Sequence, residues 1–353
     1  MFFLSGFLGL LMAGLAAGLV PLEQEADEAE AAEEEDTTPE EDGGDTGSGD
    51  DTVPGDDTGP GDDTVPGGDD TPTEDPTEDP LPTATDGDDI LWGDLFADQL
   101  DGAGGDDQMN GYAGDDSLAG GAGDDSLVGA EGDDSLSGGE GDDSLAGEDG
   151  DDMLSGDEGD DTLAGGFGSD TLAGGDGADS LLGGADGDSL DGGTGDDSLQ
   201  GNDGDDTLTG GLGQDELFGG NGDDVLSGVE ADTLGGDTDG IDFLNGGAGA
   251  DTLMLGSDDW ASGGEDGDLF ALGEWIDPAS PATITDFTAG SDQIVVVYDL
   301  QSGTTPEVTI EASETEGNVW IALNGVRLAE VVAAAGLSAE DVLLISPQEF
   351  GAL

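Results

Sequence analysis

The sequence predicts an all-β fold, a solenoid of short stacked strands that is followed by a β-rich C-terminal cap. Three observations predict it. A nine-residue repeat runs unbroken from Ala84 to Ser227, each repeat offers one large apolar residue for an interior, and β-branched runs replace the repeat after about residue 272. Low apolar content with high net charge is otherwise typical of disorder, so the prediction of order rests on the repeat.

The repeat holds four of its nine positions nearly constant over sixteen copies. The first position is glycine in fifteen copies, the fourth is glycine in fourteen, the sixth is aspartate in all, and the eighth is leucine in fifteen. A run such as residues 126–128 predicts a three-residue strand that turns one leucine inward. The six residues before it must reverse the chain, which glycine permits through positive φ and close backbone approach.

Two repeats predict one flattened coil of eighteen residues, built as strand, turn, strand, turn. Coils stacked about 4.8 Å apart would give the sixteen repeats a length of roughly 38 Å. The same stacking brings the sixth-position aspartates of neighbouring coils to about 5 Å from one another along one edge. At an effective dielectric constant near 20, each such pair repels by roughly 3 kcal/mol.

A hard divalent cation between coils would turn this repulsion into attraction. It would take carboxylate oxygens from the aspartates and the rest of its ligands from turn carbonyls that the glycines leave exposed. Flexible, all-oxygen coordination suits calcium better than magnesium or zinc. We therefore expect several calcium ions per chain, and a roll that does not fold without them.

The charge balance excludes several classes of partner and of enzyme. The chain has 90 acidic residues, one basic residue and a net charge of −89, so nucleic acid and anionic membrane surfaces would repel it. It has no histidine and no cysteine, which excludes a Ser-His-Asp or Cys-His nucleophile and a His-ligated zinc. Sixteen equivalent carboxylate pairs also lack the asymmetry that acid–base catalysis needs.

Repeats such as GGAGDDSLV and GGEGDDSLA resemble the RTX, or hemolysin-type, calcium-binding nonapeptide GGxGxDxUx. The resemblance is strict over residues 84–227 and looser to about 272. It implies a parallel β-roll with bound calcium, export through a bacterial type I secretion apparatus, and folding outside the cell. The metal ligands that it implies are the repeat aspartates Asp89, Asp98, Asp107, Asp116, Asp125, Asp134, Asp143, Asp152, Asp161, Asp170, Asp179, Asp188, Asp197, Asp206, Asp215, Asp224 and Asp251.

Two repeats depart from the pattern, and one position has a plainer interpretation. Phe96 replaces a turn glycine, and the pair Asp186-Gly187 inverts the usual order, as does Asp266-Gly267 further on. The fifth-position aspartates are expected to face solvent and to add charge rather than to coordinate an ion.

The N-terminal flank divides into two segments. Residues 1–20 are uncharged, apolar and long enough to span a bilayer, so they are interpreted either as a membrane anchor or as a signal-like segment. Residues 21–83 are acidic and proline-rich, which predicts a disordered linker.

The C-terminal segment, residues 273–353, is predicted to be a β-rich cap that also carries the secretion region. Residues 293–298 and 308–310 are expected to be strands. The segment NVWIALNGVRLAEVV predicts a hairpin with Asn324-Gly325 as a two-residue type I′ turn. Asp286 and Asp292 have two open interpretations, a further ion site or an ordinary loop role.

The leading prediction for function is a secreted, non-catalytic calcium-binding protein whose roll is structural or adhesive. The alternatives are a non-catalytic part of an exported enzyme system and an ice-binding or polysaccharide-binding surface roll. The first twenty residues leave a tethered cell-surface form open beside the extracellular one. For the partner of the roll, a surface polymer, another cell and calcium alone all remain open.

Overall fold

Short strands make up nearly the whole structure, a computed structural model that describes residues 84–229, 240–298 and 306–350. Within these ranges the fold is all-β apart from one helical turn, α1, at Pro347–Phe350. The strands are β1 Ile90–Trp92, β2 Gln99–Asp101, β3 Gln108–Ala113, β4 Ser117–Ala122, β5 Ser126–Glu131, β6 Ser135–Glu140, β7 Ser144–Asp149, β8 Met153–Glu158, β9 Thr162–Phe167, β10 Thr171–Asp176, β11 Ser180–Ala185, β12 Ser189–Thr194, β13 Ser198–Asp203, β14 Thr207–Leu212, β15 Glu216–Asn221, β16 Val225–Ser227, β17 Phe243–Ala248, β18 Thr252–Met254, β19 Trp260–Glu265, β20 Leu269–Gly273, β21 Ala282–Ile284, β22 Gln293–Val297, β23 Val308–Ala312, β24 Val319–Leu323, β25 Val326–Val331 and β26 Val342–Ile345.

The chain alternates between two sheets at each strand. Sheet A has fourteen strands and takes the odd-numbered strands β1 to β21 in order, followed by β25, β24 and β23. Sheet B has twelve strands, the even-numbered β2 to β22 followed by β26. Strands β23, β24 and β25 pair antiparallel, whereas the repeat strands pair parallel. The predicted parallel β-roll with a β-rich C-terminal cap is confirmed.

The repeat strands are longer than the sequence predicted. Most span six residues rather than three, as in Ser117–Ala122, and only three residues remain for each turn. Each strand therefore has two inward positions, the leucine and the first-position glycine two residues later. The three-residue prediction was wrong because residues after the leucine keep pairing with the neighbouring coil, as Gly121 does with Gly139 and Ala122 with Glu140.

Two columns of leucines, one from each sheet, fill the space between the sheets. Leu118 lies opposite Leu136 one coil further on, and Leu127 lies opposite Leu145, which confirms the eighteen-residue coil. The eighth-position side chains are 0–3% exposed from Leu91 to Leu226. Because successive side chains of a strand point to opposite faces, the seventh-position serines and threonines lie on the outer faces of the sheets.

The strict eighteen-residue interval between coils is first broken between β16 and β17. Leu217 in β15 pairs with Leu244 in β17, a separation of 27 residues, yet the register of the leucines is kept. Residues 230–239 of this insertion lie outside the described residues. The stack therefore continues beyond the strict repeat.

The C-terminal strands extend the same two sheets with a larger apolar core. Phe270, Ile294 and Val296 are fully buried, and the Phe270 and Phe287 rings lie 6.3 Å apart. Strands β24 and β25 form the predicted hairpin, and Asn324 and Gly325 both have positive φ, 54° and 83°, as a type I′ turn requires.

The interpretations of residues 1–20 as an anchor or signal and of residues 21–83 as a disordered linker lie outside the described residues. Among the helical residues that are described, none forms a segment long and apolar enough to cross a membrane.

Candidate metal sites

The repeat aspartates form two continuous ladders, one leading into each sheet. In each ladder, the backbone N–H of one aspartate donates a hydrogen bond to Oδ1 of the aspartate one coil later. The rungs are 2.7 Å from Asp143 N to Asp161 Oδ1 and 2.8 Å from Asp152 N to Asp170 Oδ1. The ladder into sheet A runs through Asp89, Asp107, Asp125, Asp143, Asp161, Asp179, Asp197, Asp215, Asp242 and Asp259. The ladder into sheet B runs through Asp98, Asp116, Asp134, Asp152, Asp170, Asp188, Asp206, Asp224, Asp251, Asp268 and Asp292.

In fifteen of these carboxylates, the second oxygen is buried without a hydrogen-bond partner. Asp143 and Asp161, for example, are 3% and 1% exposed, and their Oδ2 atoms have no donor within reach. A buried, unpaired carboxylate oxygen is costly because it has lost water and gained nothing in exchange. The predicted ligands that share this geometry are Asp107, Asp116, Asp125, Asp134, Asp143, Asp152, Asp161, Asp170, Asp179, Asp188, Asp197, Asp206, Asp215, Asp224 and Asp251.

The first-position glycines make room for these oxygens. A Cβ built on Gly120 would overlap Oδ2 of Asp125 and would lie 2.7 Å from the carbonyl oxygen of Gly138 in the next coil. No positive φ requires glycine at position 120, so the requirement there is space alone. Oxygens from two coils thus converge over Gly120, which is the hard, all-oxygen environment that calcium prefers.

Carboxylates alone do not complete a metal site. Over the three described ranges, no group of three or more Asp, Glu, His or Cys side chains is placed to hold an ion. A calcium site in the repeat would therefore need backbone carbonyls in addition to ladder Oδ2 atoms, and the ligand assignment stays a prediction. When bound, calcium would supply positive charge to an array of buried negative oxygens.

Burial raises the pKa of several ladder carboxyls. The pKa of Asp143 and of Asp188 rises to about 7, and that of Asp116 and of Asp161 to about 6, chiefly because the charged form loses water. The backbone N–H that each carboxylate accepts works in the opposite direction, and neighbouring carboxylates raise the pKa further. The ladder thus strongly favours a proton or a cation.

The two N-terminal aspartates of the ladders differ from the others. Oδ2 of Asp89 accepts from Thr85 N and Oγ1, at 2.7 and 2.8 Å, and Oδ2 of Asp98 accepts from Asp94 N at 2.6 Å. Both are only partly buried. The departure at Phe96 thus coincides with a local turn that occupies the carboxylate of Asp98. At the other departure, Asp186 adopts the positive φ of the missing glycine, 72°, and Asp188 keeps the common geometry.

The fifth-position aspartates are exposed, as expected, but they also bind the backbone. Oδ1 of Asp124 accepts from Asp142 N at 3.1 Å, and Oδ1 of Asp142 accepts from Asp160 N at 3.0 Å. This outer ladder runs in the opposite direction to the inner one, because each carboxylate accepts from the coil after it.

Three ladder members, Asp242, Asp259 and Asp268, are absent from the ligands predicted from the sequence, and a fourth, Asp292, has two open interpretations there, an ion site or a loop role. In the structure its Oδ2 accepts from Thr288 N, while Asp286 accepts from Ser262 Oγ and from backbone N–H groups. The signal that identifies all four is an aspartate two residues before a buried apolar residue, as in Asp242-Phe243-Leu244 and Asp268-Leu269-Phe270.

Fold and site together define a calcium-binding β-roll built from repeats. The family model for the RTX calcium-binding nonapeptide repeat (4 copies) matches residues 83–118, 119–154, 155–190, 191–226 and 237–259. This repeat region belongs to the RTX calcium-binding nonapeptide-repeat family. The family binds calcium, and the number of repeats implies several ions per chain. Such repeats suggest an extracellular protein, and a roll of this kind is typically a non-catalytic domain.

The comparison with solved structures includes the extracellular lipase LipA from Serratia marcescens. The match has 18% identity and a TM-score of 0.22, and it covers 48% of this chain and 40% of the lipase chain. No curated protein matches the chain.

The raised pKa values predict that acid favours the metal-free roll. A group whose folded-state pKa lies above its unfolded value, about 3.9 for aspartate, contributes stability at low pH that is lost as pH rises through the folded pKa. In excess chelator we therefore expect β circular dichroism to increase between pH 8 and pH 5.5. Calcium-saturated protein should change little over the same range, and a chelated sample equally unfolded at both pH values would contradict the prediction.

Proposed function

We propose that the chain is a secreted calcium-binding protein whose repeats fold into the β-roll when they bind calcium, and whose role is structural or adhesive. The observation that carries this proposal is the array of buried carboxylate oxygens without donors. Each coil adds two such oxygens to the interior, and no positive side chain lies in the repeat region to balance them. Calcium supplies the missing partner.

The proposed ligands are the seventeen aspartates that the sequence analysis named, from Asp89 to Asp224 and Asp251. Support is strongest for those whose Oδ2 is buried and unpaired, and weakest for Asp89 and Asp98, whose Oδ2 atoms already accept local hydrogen bonds. Asp268 extends the proposed set, because it follows Asp251 in the same ladder and is buried.

A catalytic role is not proposed for this chain. Histidine and cysteine are missing from the entire sequence, and the repeat carboxylates sit in near-identical surroundings, whereas acid–base chemistry needs groups whose pKa values are driven apart. The chain is thus proposed to act through binding and folding alone.

The proposed organisation has four parts. Residues 84–272 form the calcium-binding roll, and residues 273–353 form the cap and carry the secretion region. Residues 21–83 link the roll to residues 1–20, which act either as a signal-like segment or as a membrane tether. Export through a type I secretion apparatus suits a chain that stays unfolded until it meets calcium.

Calcium should control folding. In excess EDTA at neutral pH we expect a disordered circular dichroism spectrum, and at millimolar calcium a cooperative gain of β signal with compaction on gel filtration. Affinity per site is expected in the weak range of extracellular modules, ~10⁻⁴–10⁻³ M. Magnesium at the same concentration is the matched control. A full β spectrum that survives EDTA at neutral pH would refute calcium-dependent folding.

The inner and outer ladders should differ in their effect on calcium. The double variant Asp143→Asn/Asp161→Asn keeps side-chain shape but removes two inner charges, so calcium stoichiometry should fall and the calcium midpoint should rise. Even outer-shell partners of a metal change affinity by about 10–100-fold. The control is Asp142→Asn/Asp160→Asn, which removes the same charge from the exposed ladder. Equal losses of bound calcium, measured by isothermal titration, would contradict the ligand assignment.

The cellular location of the protein should distinguish a secreted form from a membrane-tethered form. We expect full-length protein in the medium of producing cells if residues 1–20 are removed or exported, and in a salt-resistant membrane pellet if they anchor the chain. Fractionation with immunoblotting measures this. Protein found chiefly in the cytosol would contradict both forms.

A further inference from the structure

The outer face of sheet A carries an aromatic patch, formed by Phe218, Phe243 and Trp260 on the neighbouring strands β15, β17 and β19. Phe243 pairs in register with Trp260 on one side and with Glu216 on the other. The three rings are 40–49% exposed. They line a shallow groove of about 310 Å³ on this face.

Carboxylates flank the aromatic patch. Glu216 lines the groove beside Phe243, and Asp286 binds the hydroxyl of Ser262, which also lines it. An aromatic face next to a carboxylate is a favourable place for an organic cation, because the ring quadrupole and the negative charge attract it together.

The chain itself contains one place where an aromatic ring and a carboxylate together bind a cation, and there the cation is an arginine side chain of the same chain. The Arg327 guanidinium lies 4.5 Å from the centroid of the Trp320 ring and donates to Glu314 at 3.2 Å. Arg327 is the only basic side chain in the entire sequence. No second arginine or lysine exists to occupy the aromatic patch, so a cation there must come from another molecule.

We propose that the aromatic patch docks arginine side chains of a basic polypeptide partner. The net charge of −89 attracts such a partner over long range, and the patch gives the contact a defined place. Arginine is favoured over lysine because its planar, weakly hydrated guanidinium stacks on rings while it pairs with a carboxylate. The inference rests on the proposed function, since the patch exists only when the roll is folded.

The test uses the full chain in millimolar calcium at about 0.15 M salt, where surface charge is screened beyond roughly 8 Å. The probe is a short labelled peptide of alternating arginine and glycine, followed by fluorescence anisotropy. Phe243→Ala/Trp260→Ala should weaken binding about tenfold. The control, Tyr112→Ala/Phe167→Ala, removes two exposed aromatic side chains from the same sheet at equal net charge and should bind like the parent.

Two results would overturn the inference. One is equal peptide affinity of the patch variant and the control variant, which would mean that the aromatic patch is not where the peptide binds. The other is an uncharged glucose oligosaccharide that binds the parent and loses binding in the patch variant, while peptide binding stays unchanged. Phe243→Leu/Trp260→Leu keeps apolar volume should the alanine variant misfold. Binding is measured on protein with an intact β spectrum, so failure of calcium-linked folding counts against the proposed function instead.

Discussion

The structure depends on negative charge that the fold buries in its interior and that no positive side chain of the repeat region balances. In a ladder aspartate such as Asp143, one carboxylate oxygen accepts from a backbone N–H of the neighbouring coil and the other is buried without a donor. The first oxygen sets the spacing of the coils, whereas the second makes that spacing unfavourable unless a cation or a proton is present. The stability of the roll and its proposed calcium binding thus depend on the same side chains.

The glycines serve this arrangement in two different ways. At the first position they leave space for the carboxylate, as at Gly120, where a methyl group would overlap Oδ2 of Asp125. At the fourth position they supply positive φ, as at Gly141 with φ of 133°, where the turn also passes close to the carbonyl of Gly123. The low apolar content is tolerable because the interior between the sheets is only one leucine wide per strand.

Much of the fold could be predicted from the sequence, because sixteen copies of the repeat carry the same pattern. The leucine columns, the eighteen-residue coil, the parallel stack and the Asn324-Gly325 hairpin all follow from local patterns.

The strand length could not be predicted, since pairing by Gly121 and Ala122 depends on a neighbouring coil and not on their own β propensity. Asp242 and Asp259 were missed because the glycines around them depart from the repeat, although the interval to the next buried residue is kept. The aromatic patch was missed because Phe218, Phe243 and Trp260 are distant in sequence and meet only through the register of the sheet.

The inner ladder gives the roll a direction. Every inner rung satisfies the N–H of an earlier coil with a carboxylate from a later one, so each coil is completed by the coil on its C-terminal side. The sheet B ladder ends at Asp292, whose own N–H donates to the carbonyl of Thr288 and needs no further coil. The sheet B ladder thus ends without a further coil, so earlier coils can be added to this end one at a time. If this end folds first when the chain meets calcium, each coil that is added supplies the carboxylate that the next coil towards the N-terminus needs.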